Sequence, residues 1–438
     1  MRATASNFAR IILCLFWVAL GLSASSAQAE TFRYQYISLD QLKIPPFPLT
    51  IEGFNPAPGY FDPRAVIDNG RVYGTIFFDD FSSYPFRVTY AAVYNHGVVT
   101  ILSPVEGSAY VANERGTVGG TVDDYQDNTF QAALYRGHQA KLIPLLPGVV
   151  NSNVIDLNDN GTALVGSFDA DFNYINISLY EKGQSTVLDF GPTVNLNSIM
   201  DLDINNERTI SGTTMIPGLG YVYLGDRGFR HDPSTGKTTM LNPLPTELHS
   251  WAFDINNRGN VLGYSYNVGK TERIGLWDKK AIFHPYFVEG TPEFPTISNE
   301  LVFNDKNQIV ITNVSSPAAE FGNSYLVPKP GVRLNLADLV VNPPSLDWKP
   351  WVIMDINNEG DMLGYGVDFS PFLLKRIDAT AAVPIASTAP AALASSAMAS
   401  KRLAVPPQVA AFRRSQMHRL MAKSGFRLNA AKGLKLRP

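Results

Sequence analysis

The chain has almost no cysteine. Its single cysteine, Cys14, lies within the first 29 residues, so the rest of the chain can form neither a disulfide nor a cysteine metal site. Histidine is also scarce, with six in 438 residues, and none belongs to a Ser/His/Asp grouping, an H-E-x-x-H motif or a metal-ligand spacing. The sequence therefore predicts no catalytic residue and requires no cofactor.

A hydrophobic run long enough to cross a membrane is missing as well. The longest apolar stretch, Ile11 to Leu22, has about a dozen residues, which is short for a bilayer span. Arg2 and Arg10 give it a basic start, and an A-x-A cleavage pattern follows at residues 27–29. These features predict a cleaved signal peptide over residues 1–29 and a periplasmic or secreted protein.

Acidic residues are absent from both ends of the chain. Residues 1–29 carry two basic residues and residues 401–438 carry ten, so the net charge of −3 leaves −15 for residues 30–400. This asymmetry predicts that the tail contacts something anionic, either the acidic body or an anionic membrane surface. Nucleic acid is not an expected partner for an exported protein with an acidic body.

Amphipathic helix patterns are missing from residues 30–377, and a repeat takes their place. One copy reads DINNRGNVLG over Asp254–Gly263 and another reads DINNEGDMLG over Asp355–Gly364. Four further copies end at glycine and a degenerate copy ends at Ile311, which gives spacings of 46, 46, 46, 51, 48 and 53 residues. Such periods are typical of propeller blades or solenoid units.

Each repeat also holds two later β-rich runs joined by a Gly, Asn or Asp turn, which is a hairpin signal. We denote the four predicted strands A (the Asp-Ile-Asn segment), B (the segment ending in glycine), C and D. Four strands in 46–53 residues favour a β-propeller, because a parallel β-helix would need shorter and more uniform coils. The predicted fold is therefore all-β, with seven blades.

The two ends of this array predict how the ring closes. The last repeat stops after strand C at residues 370–375, whereas residues 32–39 alternate like a strand and precede the first repeat. We expect these segments to pair, since an open edge promotes aggregation. The propeller then spans 30–377, and an Ala/Ser/Pro linker (378–400) leads to a disordered basic tail (401–438). Within the tail a short amphipathic helix would present Arg413, Arg414, Arg419 and Lys423 to its contacts.

The repeat resembles the HAF repeat of exported bacterial β-propeller-like proteins. The pattern Asp-Ile-Asn-Asn-x-Gly-x-(Val/Met)-Leu-Gly carries the resemblance, which covers roughly residues 60–376 and is strongest at 203–241, 252–283 and 353–376. The copies at 65–77 and 302–313 depart from the pattern. The resemblance implies architecture and export, and it implies no activity.

The predicted B–C loops of the first three blades combine carboxylates with aromatic residues. In a propeller these loops share one end of the ring with the D–A connections. They could bind a glycan, a cation such as calcium, or a protein ligand, although a solvated acidic rim is the alternative. The candidate ligand-binding residues are Asp79, Asp80, Tyr84, Asp123, Asp124, Tyr125, Asp127, Asp169, Asp171 and Tyr174.

The Asx-rich pattern itself can be interpreted as metal binding. Asp156, Asn158 and Asn160 match the first half of a calcium loop, although Ser167 takes the place of its bidentate glutamate. The structural alternative is an Asx turn between strands A and B that recurs from blade to blade. The recurrence favours the structural interpretation.

These observations lead to two functional hypotheses. The first is an exported, non-enzymatic binding or scaffold propeller that presents acidic and aromatic loops to a glycan, a cation or a protein. The alternative is a propeller enzyme of the polysaccharide lyase or hydrolase class that uses loop carboxylates, and only fold analogy supports it.

Overall fold

The polypeptide forms seven four-stranded antiparallel sheets arranged as the blades of a propeller. The structure is a computed structural model and describes residues 32–40, 42–48, 57–80, 86–124, 129–170, 174–217, 223–267, 272–289, 299–313, 324–345 and 347–377. No helix in these ranges is both long and apolar enough to cross a membrane. The predicted signal peptide, linker and tail contacts lie outside the described residues.

The first four blades follow the predicted order of strands A, B, C and D. Blade 1 comprises β2 (Tyr60–Val66), β3 (Val72–Asp80), β4 (Phe86–Asn95) and β5 (Val98–Ile101). Blade 2 comprises β6 (Gly107–Ala112), β7 (Val118–Asp124), β8 (Thr129–Arg136) and β9 (Gln139–Leu142). Blade 3 comprises β10 (Asn151–Leu157), β11 (Ala163–Phe168), β12 (Tyr174–Glu181) and β13 (Gln184–Val187). Blade 4 comprises β14 (Ile199–Ile204), β15 (Ile210–Pro217), β16 (Tyr223–Asp232) and β17 (Lys237–Leu241), preceded by a 3₁₀ turn at Leu196–Ser198.

The remaining blades keep the same order until the ring closes. Blade 5 comprises β18 (His249–Ile255), β19 (Val261–Tyr266), β20 (Glu272–Trp277) and β21 (Phe283–Glu289). Blade 6 comprises β22 (Asn299–Phe303), β23 (Ile309–Asn313), β24 (Ser324–Lys329) and β25 (Val332–Asn335), and the short helix α1 (Leu336–Leu339) follows it. Blade 7 comprises β26 (Pro350–Ile356), β27 (Met362–Gly366) and β28 (Pro371–Ile377), with β1 (Arg33–Ser38) as its fourth strand.

The N-terminal strand closes the ring, as the sequence predicted. Strand β1 pairs antiparallel with β28, from Arg33 opposite Ile377 to Ser38 opposite Phe372. Phe32 and Tyr34 pack into the same buried cluster as Phe372 and Leu374. The prediction of a seven-bladed, circularly closed propeller is therefore confirmed.

A β-bulge interrupts the pairing of strands A and B in six of the seven blades. The register shifts shortly before the Asx turn in every blade except blade 6, whose β22 and β23 pair without a break. A bulge bends its strand and re-aims the following side chains. In four blades the residue directly after the bulge is an aspartate, namely Asp156, Asp203, Asp254 and Asp355.

The bulge explains the glycine that ends most copies of the repeat. A Cβ on Gly263 would lie 1.8 Å from the carbonyl oxygen of Trp251 in the bulged A strand, and one on Gly120 would lie 1.8 Å from that of Ser108. Gly74 and Gly364 are similarly close to A-strand carbonyls. Blade 6 has no bulge and carries Ile311 at this position. In these four blades the glycine is therefore required by the close approach of the two strands.

The core is formed largely between blades. Leu164 and Ile177 of blade 3, for example, share one buried cluster with Ile199 and Phe229 of blade 4. Consecutive strands are antiparallel, so all A–B and C–D turns lie at one end of the propeller. The B–C loops and D–A connections lie at the other end.

Candidate functional site: the carboxylate-lined channel mouth

Each A–B turn is organised by the asparagine that follows strand A. In blade 5 the Oδ1 of Asn256 accepts hydrogen bonds from the backbone N–H groups of Arg258 and Asn260, both at 3.1 Å. The turn closes with a bond from Gly259 N–H to the Asn256 carbonyl, and Gly259 has a φ of 75°, which favours glycine. Equivalent side-chain bonds form in blades 2, 3, 4, 6 and 7.

The same asparagines also link neighbouring blades. Each Nδ2 donates to the backbone carbonyl of the corresponding residue in the next blade, over 2.8–3.2 Å. The series runs Asn113 to Asn158, Asn158 to Asn205, Asn205 to Asn256, Asn256 to Asn304, Asn304 to Asn357 and Asn357 to Ile67. Because Ile67 has no amide side chain, this amide ring has six of seven links.

A second ring, which we call the N–H ring, passes through the next residue of each turn. Its backbone N–H donates to the side-chain oxygen of the corresponding residue in the following blade, over 2.6–2.9 Å. The donors, in order, are Asp68, Glu114, Asp159, Asn206, Asn257, Asp305 and Asn358, and the last returns to Asp68. All seven links are present, so the N–H ring is closed.

Two of the four aspartates after the bulges also connect neighbouring blades. Asp156 accepts from Leu157 N–H in its own blade and from Ile204 N–H in the next blade, both at 2.7 Å. Asp355 makes the same pair of bonds, with Ile356 N–H and with Val66 N–H of blade 1, both at 2.8 Å. Sequence analysis missed these aspartates as a group, although each stands two residues before the turn asparagine.

One cavity of about 200 Å³ lies at this end of the central channel. All seven blades contribute residues to its lining, the first being Val66 of blade 1 and the last Asn358 of blade 7. Its lining includes six acidic residues and no lysine, arginine or histidine. The six are Glu114, Asp156, Asp159, Asp254, Asp305 and Asp355. We refer to this cavity as the channel mouth.

Burial and mutual repulsion alter the ionisation of these acids. Burial raises the pKa of Asp254 to about 8, and the charge of Asp156 adds to the effect. Burial likewise raises the pKa of Asp355 to about 6 and that of Glu114 to about 7. The pKa of Asp203 lies well above its usual value, through burial and then the charge of Asp254. The channel mouth therefore holds part of its carboxyl groups protonated at neutral pH.

The three residues of the predicted calcium loop are engaged in hydrogen bonds. Asp156 uses both oxygens on backbone N–H groups, and Asn158 Oδ1 accepts from Asn160 N–H and Thr162 N–H. The Nδ2 of Asn160 donates to the Asn206 carbonyl. Among the described residues, no group of three or more His, Cys, Asp or Glu side chains is placed to hold a metal ion. The calcium site stays a prediction, and these bonds favour the structural interpretation.

The predicted acidic loops lie at the opposite end of the propeller. Asp79 is buried and forms a two-point ion pair with Arg87, at 2.5 and 3.1 Å, while the Arg87 guanidinium lies over the Phe77 ring. Asp123 accepts from Thr121 Oγ1 at 2.8 Å and from Thr89 Oγ1 at 3.1 Å. These two carboxylates therefore have partners within the protein.

Aromatic residues do converge at this end, across blades 2 and 3. The Phe168 ring lies 4.6 Å from that of Tyr174 and 6.1 Å from that of Phe130. Asp124 is exposed at the end of β7, and Asp169 follows β11. The backbone of Asp80 belongs to β3. Four other predicted ligand-binding residues lie outside the described residues, namely Tyr84, Tyr125, Asp127 and Asp171. The loop site therefore stays a prediction.

Comparison with known proteins gives structural matches alone. No protein-family model matches the chain, and no curated protein sequence matches it. The β-propeller domain of the trilobed protease from Pyrococcus furiosus is similar with a TM-score of 0.48 and 9% identity, over 74% of this chain and 98% of that domain. An oligogalacturonate lyase in complex with manganese has a TM-score of 0.46 and 12% identity, over 73% and 97% of the two chains.

An acylaminoacyl peptidase from Pyrococcus horikoshii is also similar, with a TM-score of 0.43 and 11% identity. The match covers 74% of this chain and 52% of the peptidase, so the chain spans about half the length of that enzyme. At these identities the matches concern the fold. The chain is a seven-bladed β-propeller.

Proposed function

We propose that the protein is an exported, non-enzymatic binding scaffold whose channel mouth takes a cationic group. The observation that carries this proposal is a lining with six acidic residues and no basic one. An ammonium group would favour the ionised carboxylates and so oppose the effect of burial, which, with the charge of Asp156, holds the pKa values of Asp254 and Asp355 high. The resemblance to HAF-repeat proteins and the signal-like segment 1–29 support the exported location.

The hydrogen bonds of the channel mouth favour a scaffold over a catalyst. Asp156 and Asp355 each accept two backbone N–H groups, one on each carboxylate oxygen. One N–H comes from the same blade and the other from the next blade. A carboxylate held in this way stabilises the ring. It is poorly placed to exchange protons with a substrate, because proton transfer needs an accessible oxygen.

One observation supports the enzymatic alternative. Asp254 has a pKa of about 8, so it would be protonated at neutral pH beside carboxylates that ionise more readily. Glycosidases use such a pair, one carboxyl as acid and one as base. A polysaccharide lyase or hydrolase would lose activity on Asp254→Asn and keep it on Asp338→Asn, an exposed acid of α1. Absence of products from a polysaccharide panel would exclude this alternative.

The direct test is a titration of the mature protein with spermidine and, separately, with calcium, at low ionic strength. Because cation binding favours the ionised carboxylates, spermidine should bind about tenfold more tightly at pH 8.5 than at pH 5.5 and should release protons. The double variant Asp254→Asn/Asp355→Asn should lose most of this affinity. The matched control Asp338→Asn/Asp347→Asn removes two exposed acids and should retain it. Equal affinities of the two double variants would contradict the proposal.

The basic tail, residues 401–438, is a further candidate for binding, because its charge is opposite to that of the acidic body. Strand β28 ends beside the A–B turn of blade 7, where Arg376 N–H donates to Asp361 at 2.8 Å. The chain therefore leaves the propeller at the end that carries the channel mouth. We propose that Arg413, Arg414, Arg419 and Lys423 bind an anionic membrane surface, and that the acidic body competes with the membrane for these residues. Co-sedimentation with anionic vesicles, unchanged by deletion of residues 401–438, would reject this contact.

A glycan array with the mature protein tests the loop ligands at the other end.

A further inference from the structure

A second cavity lies on the outer part of the ring, between blades 4 and 5, and unlike the channel mouth it is lined by three basic side chains beside two acidic ones. It has a volume of about 250 Å³. Arg230 and Asp232 of β16 line it together with Lys237 and Thr239 of β17, and Lys279 closes it from blade 5. Arg230 stands opposite Thr239, and Asp232 opposite Lys237, so these side chains share one face of blade 4. We call this cavity the outer groove.

Arg230 joins the two blades at the base of the outer groove. Its guanidinium is partly buried and donates to the carbonyl oxygens of Gly259 at 3.3 Å, of Asp278 at 3.2 Å and of Lys279. Burial lowers the pKa of Arg230, although the charges of Asp278, Asp232 and Glu207 oppose that shift. Three bonds leave two of its five N–H donors for another acceptor. No carboxylate is a hydrogen-bond partner of Arg230 among the described residues.

The acidic residues at the outer groove already have partners. Glu207 forms an ion pair with Lys279, with distances of 2.8 and 2.9 Å to the ammonium. Asp232 accepts from Ser234 and Thr235, and the Ser234 hydroxyl in particular lowers its pKa. The Lys237 ammonium and the Thr239 hydroxyl have no partner in the described part of the chain. The groove therefore offers an ammonium, a hydroxyl and part of a guanidinium.

We propose that the outer groove binds a small molecule through an oxyanion, either a carboxylate or a phosphate group. Arg230 would provide fixed donors, because its position is set by three carbonyls of blade 5, and Lys237 would provide a second positive charge. The Thr239 hydroxyl lies between them on the same face. A volume of about 250 Å³ is below the usual range for drug-sized ligands, so the ligand is small.

The test uses the mature full chain and two probes, inorganic phosphate and citrate, in a buffer without other polyvalent anions. Saturable binding at up to about 10 mM is expected for at least one probe, because a small free anion binds such a site in the millimolar range. Binding of phosphate alone assigns the site to phosphate groups, and binding of citrate alone assigns it to carboxylates. Absence of saturable binding by both probes overturns the proposal.

Two variants and a matched control locate the binding. Lys237→Gln removes an exposed ammonium without a partner and should weaken binding about tenfold. Arg230→Gln should weaken it further, although loss of the inter-blade bonds can also destabilise the protein, so Lys237→Gln is the decisive variant. Lys280→Gln removes an equally exposed charge beside Lys279, outside the groove lining, and should leave binding unchanged. Equal loss in Lys237→Gln and Lys280→Gln would mean nonspecific attraction and would reject the site.

Discussion

Blade 5 and blade 6 show that the repeat has two separable parts. Both blades keep the turn: Asn256 and Asn304 each organise their own loop and donate to the next blade, and both blades contribute to the N–H ring. Only blade 5 has the bulge and its glycine, Gly263, whereas blade 6 pairs regularly and carries Ile311. The turn therefore joins blades, and the glycine serves the bulge within one blade.

Neither the bulge nor its glycine requires the aspartate that follows the bulge in four blades. Blades 1 and 2 have the bulge and the glycine but carry Ala65 and Val111 where blade 5 has Asp254. Blade 1 also lacks the turn asparagine. Strand B of blade 1 contacts strand A of blade 2 through Thr75, whose Oγ1 accepts from the N–H of Ala109 at 3.0 Å and donates to its carbonyl at 3.3 Å. The same exchange joins blades 4 and 5 through Thr213 and Ala252, so it is a further link between blades that does not depend on the amide ring.

The largest effect is expected from filling the space that the bulge needs. Gly263→Ala places a Cβ 1.8 Å from the Trp251 carbonyl, so the A and B strands of blade 5 must separate. We expect a loss of more than about 3 kcal/mol in the free energy of unfolding, measured by urea denaturation. Ile311→Val at the same position of blade 6 should cost only about 1 kcal/mol. A Gly263→Ala variant as stable as Ile311→Val would show that the bulge does not require glycine.

The turn asparagines should be equivalent in the two blades. Asn256→Ala leaves two turn N–H groups without their bonds and removes the link from blade 5 to the Asn304 carbonyl. Asn304→Ala makes the corresponding changes in blade 6. Each should destabilise the protein by about 2 kcal/mol, since both asparagine side chains are buried. Asn69→Ala, in the exposed turn of blade 1, removes one local bond to Arg71 N–H and should cost less than about 0.5 kcal/mol. Equal costs at all three positions would contradict the inter-blade role.

A smaller effect is expected on the pH dependence of stability, to which Asp254 of blade 5 should contribute. Asp254 has a folded pKa of about 8, above its usual value, so between about pH 4 and pH 8 the native state holds more protons than the unfolded state. Stability should therefore fall as the pH rises through this window. Asp254→Asn should flatten that slope and raise Tm at pH 8.5 by about 2–4 °C. Asp338→Asn is the control, and an unchanged slope in Asp254→Asn would place the pH dependence elsewhere.

The repeat period was sufficient to predict the blade count, and the strand missing after residues 370–375 predicted the closure by residues 32–39, because both depend on strand order along the chain. The bulges were not predicted, since a bulge is a property of how two strands pair. The links between blades escaped prediction for a similar reason: Asn256 and its acceptor Asn304 lie 48 residues apart. For the loop residues, composition indicated exposed acids, whereas Asp79 is buried against Arg87, eight residues away.

The central claim is that the A–B turns hold neighbouring blades together, and hydrogen exchange in an Asp305→Ala variant tests it most directly. Asp305 belongs to blade 6, but its Oδ1 accepts the backbone N–H of Asn257 in blade 5, at 2.7 Å. The account predicts that Asn257 N–H loses protection, while Lys306 N–H, bonded to Asn304 Oδ1 within blade 6, keeps it. Unchanged protection at Asn257, or a loss confined to the turn of blade 6, would contradict the account.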